Sequence, residues 1–243
     1  MGLRLLNQVL LAVWFFCACV PQIAAASVSS REKAFAVFVI SYDARGEVRG
    51  GVAGTAFFVS STKALTAYHV LQEASFTPRP GHHRARVWLV HERTAPIEIR
   101  PTNVKFDPEN DLTAVELEAP RAVDAKYVFE RGGAVPFSKV ETQGFLVNSA
   151  GPVLARVGAE IEILSVPRLE RVHLTGEIVR QARVDLRAAD VTLKATPCFQ
   201  VSYEPVRGIS GGPLLINGKV IGVNSFGDPD SRARTWAVAI QSF

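Results

Sequence analysis

Beyond residue 26 the sequence holds a single cysteine, Cys198; Cys17 and Cys19 both fall in an N-terminal stretch that reads as removable. No intramolecular disulfide can form in what remains, so the fold has to rest on its apolar core. At 243 residues, 48% of them hydrophobic, the chain is large enough to build one. Cys198 itself reads as a small buried side chain, not as a nucleophile. Long apolar runs are missing too: past the N-terminal stretch none could cross a bilayer, which excludes a membrane span from the mature chain. The formal charge is only +4, and Lys and Arg are scattered among acids, with no basic run and no basic segment interleaved with aromatics. Nucleic-acid binding is therefore not indicated. Arg79, Arg84, Arg86, Arg232 and Arg234 are read as solvated loop and strand positions. His82, His83 and His91 lack a convincing set of partner ligands, so neither a metal nor another cofactor is expected.

The N-terminus has the order of a secretory signal. Arg4 precedes an apolar run from residue 5 to 20, interrupted by Asn7 and Gln8, and Pro21 closes it. Ala24, Ala25 and Ala26 then supply small residues for cleavage before Ser27. Residues 1–26 are thus expected to be a signal peptide, and the protein to be exported, to a periplasm or to the medium.

From there the pattern is β almost throughout. Short runs rich in Val, Ile, Phe and Thr cover 34–42, 55–60, 85–91, 97–106 and 112–117. The same style returns at 140–148, 160–166, 171–180, 198–203, 219–225 and 235–240. Glycine, proline and polar clusters separate these runs. Helix is scarce, with one short turn expected at 68–73. A seam at 130–136, marked by Gly132, Gly133 and Pro136, divides the mature chain into two halves of similar size. About a dozen strands in two such halves fit two packed barrels, although composition alone equally permits a sandwich.

Three short segments carry the chemistry. The first is Gly208-Ile209-Ser210-Gly211-Gly212-Pro213, which runs into the apolar Leu214-Leu215-Ile216. A serine hydroxyl attacks only when exposed and served by a base. The flanking glycines let the backbone turn sharply and leave the amides of Gly208 and Ser210 free to face a developing oxyanion. The second is Leu65-Thr66-Ala67-Tyr68-His69-Val70, in which a strand delivers a histidine just as the chain turns. The third is Asn110-Asp111-Leu112-Thr113-Ala114-Val115, an acid opening an apolar strand. Each of the last two is weak alone; in the order His69, Asp111, Ser210 they read as a base, the acid that orients it, and a nucleophile.

That set resembles the trypsin-like (chymotrypsin-fold) serine peptidases, and in style the bacterial exported HtrA/DegP-like branch. Gly54-Thr55-Ala56-Phe57-Phe58-Val59 is similar to that branch's glycine-threonine-glycine-phenylalanine strand. Gly222-Val223-Asn224-Ser225-Phe226-Gly227 is similar to the strand whose serine supports the catalytic aspartate and whose next residues pair with the substrate backbone. The resemblance implies an all-β fold of two packed antiparallel six-stranded barrels, about 34–131 and 136–243, with the site in the cleft between them. It implies a serine endopeptidase acting on polypeptides, with Ser225, Phe226 and Gly227 as substrate-binding residues. Glu204, six residues before the serine, stands where trypsin relatives place the acid that selects Lys or Arg.

There are departures. Tyr68 replaces a small or polar residue and Ala56 a glycine, which alters cleft shape more than chemistry. Ile209 replaces the aspartate that captures a new N-terminus in members activated by cutting, so no zymogen cleavage is expected. No PDZ-type segment is read after the last strand. A catalytically silent binding module, or an esterase using the same three residues, is the alternative to a peptidase.

Overall fold

The computed structural model describes residues 34–42, 45, 48–72, 84–91, 94–99, 104–117, 128–130, 136–147, 153–157, 160–165, 169–187 and 191–240. The expected signal peptide, the histidines at 82 and 83 and the glycines of the seam lie outside them. The first half is a seven-stranded antiparallel sheet built from β1 (Ala34–Tyr42), β2 (Val48–Phe58), β3 (Lys63–Ala67), β4 (Arg84–His91), β5 (Thr94–Ile99), β6 (Val104–Asp107) and β7 (Leu112–Glu116). Its spatial order is β5-β4-β1-β2-β3-β7-β6. The run at 97–106, read from sequence as one strand, is two, and they flank Pro101, which has no N–H to give a ladder. That division takes the half from six strands to seven.

The second half contains a closed six-stranded barrel. Its members are β8 (Lys139–Val147), β11 (Leu169–Arg187), β12 (Thr192–Val201), β13 (Pro213–Ile216), β14 (Lys219–Gly227) and β15 (Thr235–Ala239). A separate hairpin, β9 (Val153–Val157) and β10 (Glu160–Ser165), precedes β11. At 19 residues β11 is much longer than the sequence pattern promised. Its first part pairs with β8 and its second part with β12, so one strand bridges two neighbours of the barrel in succession. Such closure removes free strand edges, a stable solution for a half with no disulfide.

Three apolar clusters hold these layers. Val37, Val39, Phe58, Leu71 and Leu89 fill the first half, with Phe35 edge-on to Phe58 at 4.8 Å between ring centres. Val140, Ile178, Phe199, Leu214 and Ile221 fill the barrel. The third cluster is shared: Phe57, Leu65 and Leu112 of the first half meet Leu215, Val223 and Trp236 of the second. At about 1.5–3 kcal/mol for each large side chain fully buried, this seam is a major contributor to stability. The segment 128–130 bonds to Val220 of β14 in both directions, and Phe129 packs into the shared cluster.

Candidate active site

The strand β3 ends at Ala67, and a single helical turn, α1 (Tyr68–Leu71), follows directly. Val70 and Leu71 are buried on its inner side, which turns His69 toward the seam, its side chain 14% exposed. Asp111 arrives by a different device. Asp107 caps a short 3-10 turn, Pro108–Asn110, by accepting from Asn110 N at 3.2 Å. Asp111 then adopts a left-handed conformation, φ 46° and ψ 42°, before β7 begins. Aspartate tolerates that region better than most residues, and such strain concentrates at working sites. The capping aspartate of this turn is thus Asp107, which leaves Asp111 for another task.

Asp111 is buried to 1% exposure and surrounded by donors. Its Oδ1 accepts from His69 N at 2.9 Å, and His69 Nδ1 lies 3.1 Å from Oδ1 and 2.9 Å from Oδ2. Ser225 Oγ, from the barrel strand β14, donates to Oδ2. Asp111 O also accepts from Tyr68 N at 3.1 Å, which fixes the histidine's turn to the acid's turn. The Tyr68 ring packs edge-on against Phe106 at the cleft wall. A buried carboxylate needs partners on every side, and here they come from both halves of the chain.

Ser210 sits on a turn between Gly208 (φ 98°) and Gly211 (φ 86°). A Cβ on Gly211 would stand 2.2 Å from Thr55 O and from Thr66 Oγ1, so only glycine lets the two halves close here. Gly211 N donates to Asn224 O at 2.8 Å, Gly212 N to Ile209 O at 2.8 Å and Asn224 N to Gly212 O at 2.9 Å. The amides of Gly208 and Ser210 have no acceptor among the described residues. Ser210 Oγ donates to Ser225 O at 3.3 Å. Ile209 points the other way, 3% exposed, into the barrel cluster.

Of the remaining sequence-predicted residues, Ser225, Phe226 and Gly227 end β14 beside this turn, and Phe226 stacks on Trp236 at 6.3 Å. Glu204 is exposed. Its neighbour Pro205 is what meets the strand: a Cβ on Gly227 would lie 3.0 Å from Pro205 Cγ. Cys198 is fully buried, and its thiol is pushed up to about 12 by that burial and then by the charge of Asp111, so it stays protonated. Sequence reasoning missed a second, buried polar layer. Tyr203 OH donates to Asn224 Oδ1, and Asn224 Nδ2 donates to Thr142 Oγ1. Burial pushes the Tyr203 phenol upward, which keeps it a donor. Asn224 was visible only as the residue before Ser225.

Two sheets packed across a shared apolar seam, with the three segments meeting at it, define a chymotrypsin-like serine peptidase fold. The sequence model of the Trypsin family matches residues 30–243, and the chain belongs to that family of serine endopeptidases. Among curated proteins none matches the sequence. Among solved structures, the active form of the Rv3671c protease from M. tuberculosis is similar, with a TM-score of 0.58 and 20% identity over 88% of this chain and 79% of that one. Its inactive form gives 0.55 at 18% identity, over 84% and 83%. Deg5 gives 0.53 at 18% identity, over 88% and 85%. Likeness at this level of identity speaks to the fold.

Proposed function

We propose that this chain is an exported endopeptidase that cleaves polypeptides through an acyl-enzyme formed on Ser210. The observation that carries this reading is the position of His69 Nδ1 against both oxygens of Asp111, 2.9 and 3.1 Å away, beside a serine turn with two unengaged amides. In this reading His69 takes the proton of Ser210 as Oγ attacks the peptide carbonyl. Asp111 holds the ring tautomer and stabilises the imidazolium, and Ser225 holds Asp111. The Gly208 and Ser210 amides receive the oxyanion, a contribution of about 10²–10³ in rate per donor. His69 then protonates the leaving amine, and water repeats the sequence to free the acid. The substrate backbone lies along Ser225, Phe226 and Gly227. Export rests on the N-terminal signal pattern, and the peptidase unit is assigned to 27–243.

One observation favours a second reading, a closed and silent form: the Ser210 hydroxyl is turned to Ser225 O rather than to the imidazole. Hydrogen bonds of the catalytic kind often tighten only when substrate binds. Fluorophosphonate labelling of the mature protein, from Ser27 onward, beside Ser210→Ala decides between them. Labelling of the wild type alone is expected. A folded wild type that takes no label puts the silent form first.

A further inference from the structure

The two amides without an acceptor among the described residues belong to Gly208 and Ser210, and the carbonyl oxygens of these same two residues are both docked on Thr55. Thr55 N donates to Ser210 O at 2.8 Å, and Thr55 Oγ1 donates to Gly208 O at 2.6 Å. The hydroxyl also accepts from Phe145 N at 3.2 Å, and Thr55 O accepts from Thr66 Oγ1 at 2.7 Å. Thr55 is fully buried, and its hydroxyl uses its one donor and one of its two acceptor sites. It therefore ties β2 and β3 of the first half to β8 and the serine turn of the second. The packing leaves no slack: a Cβ on Gly144 would come within 2.9 Å of Thr55 Oγ1.

The two amides are not equally secured. The Ser210 N–H shares its peptide with Ile209 C=O, which Gly212 N already holds. The Gly208 N–H shares its peptide with Arg207 C=O, which has no backbone partner outside regular strands among the described residues. Gly208 is a glycine at φ 98°, free by nature to rotate. The next peptide fixes it from the other side: the Thr55 hydroxyl holds its C=O at 2.6 Å, and its N–H, from Ile209, donates to Val206 O at a longer 3.3 Å.

We propose that Thr55 is a positioning residue for the oxyanion site, its hydroxyl setting the Gly208 amide and its backbone N–H setting Ser210. This rests on the peptidase reading for its catalytic consequence, and on the hydrogen bonds alone for its structural one. Thr55→Val keeps the shape and removes the donor, whereas Thr55→Ser keeps the donor and removes a methyl. With a peptide substrate, Thr55→Val is expected to lower kcat by about 10–100-fold, part of the loss seen when such a donor is removed outright. KM should stay within about twofold, because the ground-state carbonyl uses the amide less than the oxyanion does. Thr55→Ser should stay within about threefold of wild type in kcat. Equal losses in both variants would overturn the proposal in favour of simple packing, as would an unchanged kcat in a folded Thr55→Val. The ¹H–¹⁵N resonance of Gly208 reads the oxyanion donor itself without turnover, one peptide away from the carbonyl that Thr55 holds. It should shift in Thr55→Val and hold in Thr55→Ser, and an unmoved Gly208 signal in Thr55→Val sinks the idea whether or not the protein cleaves anything. If Thr55→Val does not fold, the same two readouts on Thr55→Ala replace it. A wild type inert to both fluorophosphonate and peptides, yet with the expected Gly208 shifts, would remove the peptidase reading and leave the docking role standing.

Discussion

The two sides of this cleft are organised by different physics. On the first half, His69 and Asp111 are placed by side-chain chemistry: a carboxylate with three protein donors around it, on a residue held at φ 46°. On the second half, Ser210 is placed by main-chain geometry, through glycines at positive φ and hydrogen bonds that run backbone to backbone into β14. The difference teaches where damage will appear. Changes on the acid and base side should remove chemistry from a protein that still folds, and changes in the serine turn should remove the fold or the turn itself.

The sharpest way to break the comparison is Asp111→Asn. It preserves shape but not charge, and in the Ser-His-Asp triad of chymotrypsin-like enzymes the same change lowers kcat about 10⁴-fold. A comparable loss is expected here, with a thermal melt near that of the wild type, measured by circular dichroism beside peptide hydrolysis. A variant that melted far below the wild type would show that this side is structural after all.

Next comes a paired test on the other side, Gly211→Ala against Gly218→Ala. Both glycines have positive φ, 86° and 74°, but a Cβ on Gly211 meets atoms at 2.2 Å while Gly218 meets nothing within 4 Å. The Gly218 change should cost only the left-handed strain, about 1–2 kcal/mol. The Gly211 change adds overpacking of about 1–3 kcal/mol or more. Denaturant midpoints measure both, and equal losses would mean that the halves do not close on Gly211 as drawn.

The smallest effect concerns selection. In the proposed binding mode along Ser225–Gly227, the side chain before the scissile bond is expected between that strand and the segment of Pro205. The Pro205 ring already fills the space at Gly227, so small residues there are expected to be cut best. Pro205→Ala should raise kcat/KM for leucine or phenylalanine over alanine by a fewfold, and Glu204→Gln should leave the profile unchanged. A lysine or arginine preference abolished by Glu204→Gln would reverse that assignment.

Much of this site was legible because its parts are short and local. Ser210 announces itself by the glycines on either side, His69 by the strand that stops beneath it, and Ser225 by the segment following Asn224. The strands 34–42 and 112–117 could likewise be read from alternation and β-branched residues. What could not be read depends on distance along the chain. The bond from Thr55 to Gly208 spans 153 residues and that from Asn224 to Thr142 spans 82, and no local pattern encodes either. The division of 97–106 into two strands was marked in the sequence only by Pro101 and Asn103, breakers inside an otherwise β-forming stretch. Nor does sequence say that Glu204 is exposed while the ring of Pro205, itself exposed, lies against Gly227.

Ile209 carries a practical corollary. Its side chain is a plug of hydrocarbon set in the barrel, worth about 2 kcal/mol by burial alone, so the serine turn is moored without any free amine. Salt cannot loosen such a mooring, and neither can titration of a terminus. The expected consequence is a serine turn whose geometry is insensitive to ionic strength, because hydrocarbon and not a charge pair holds it.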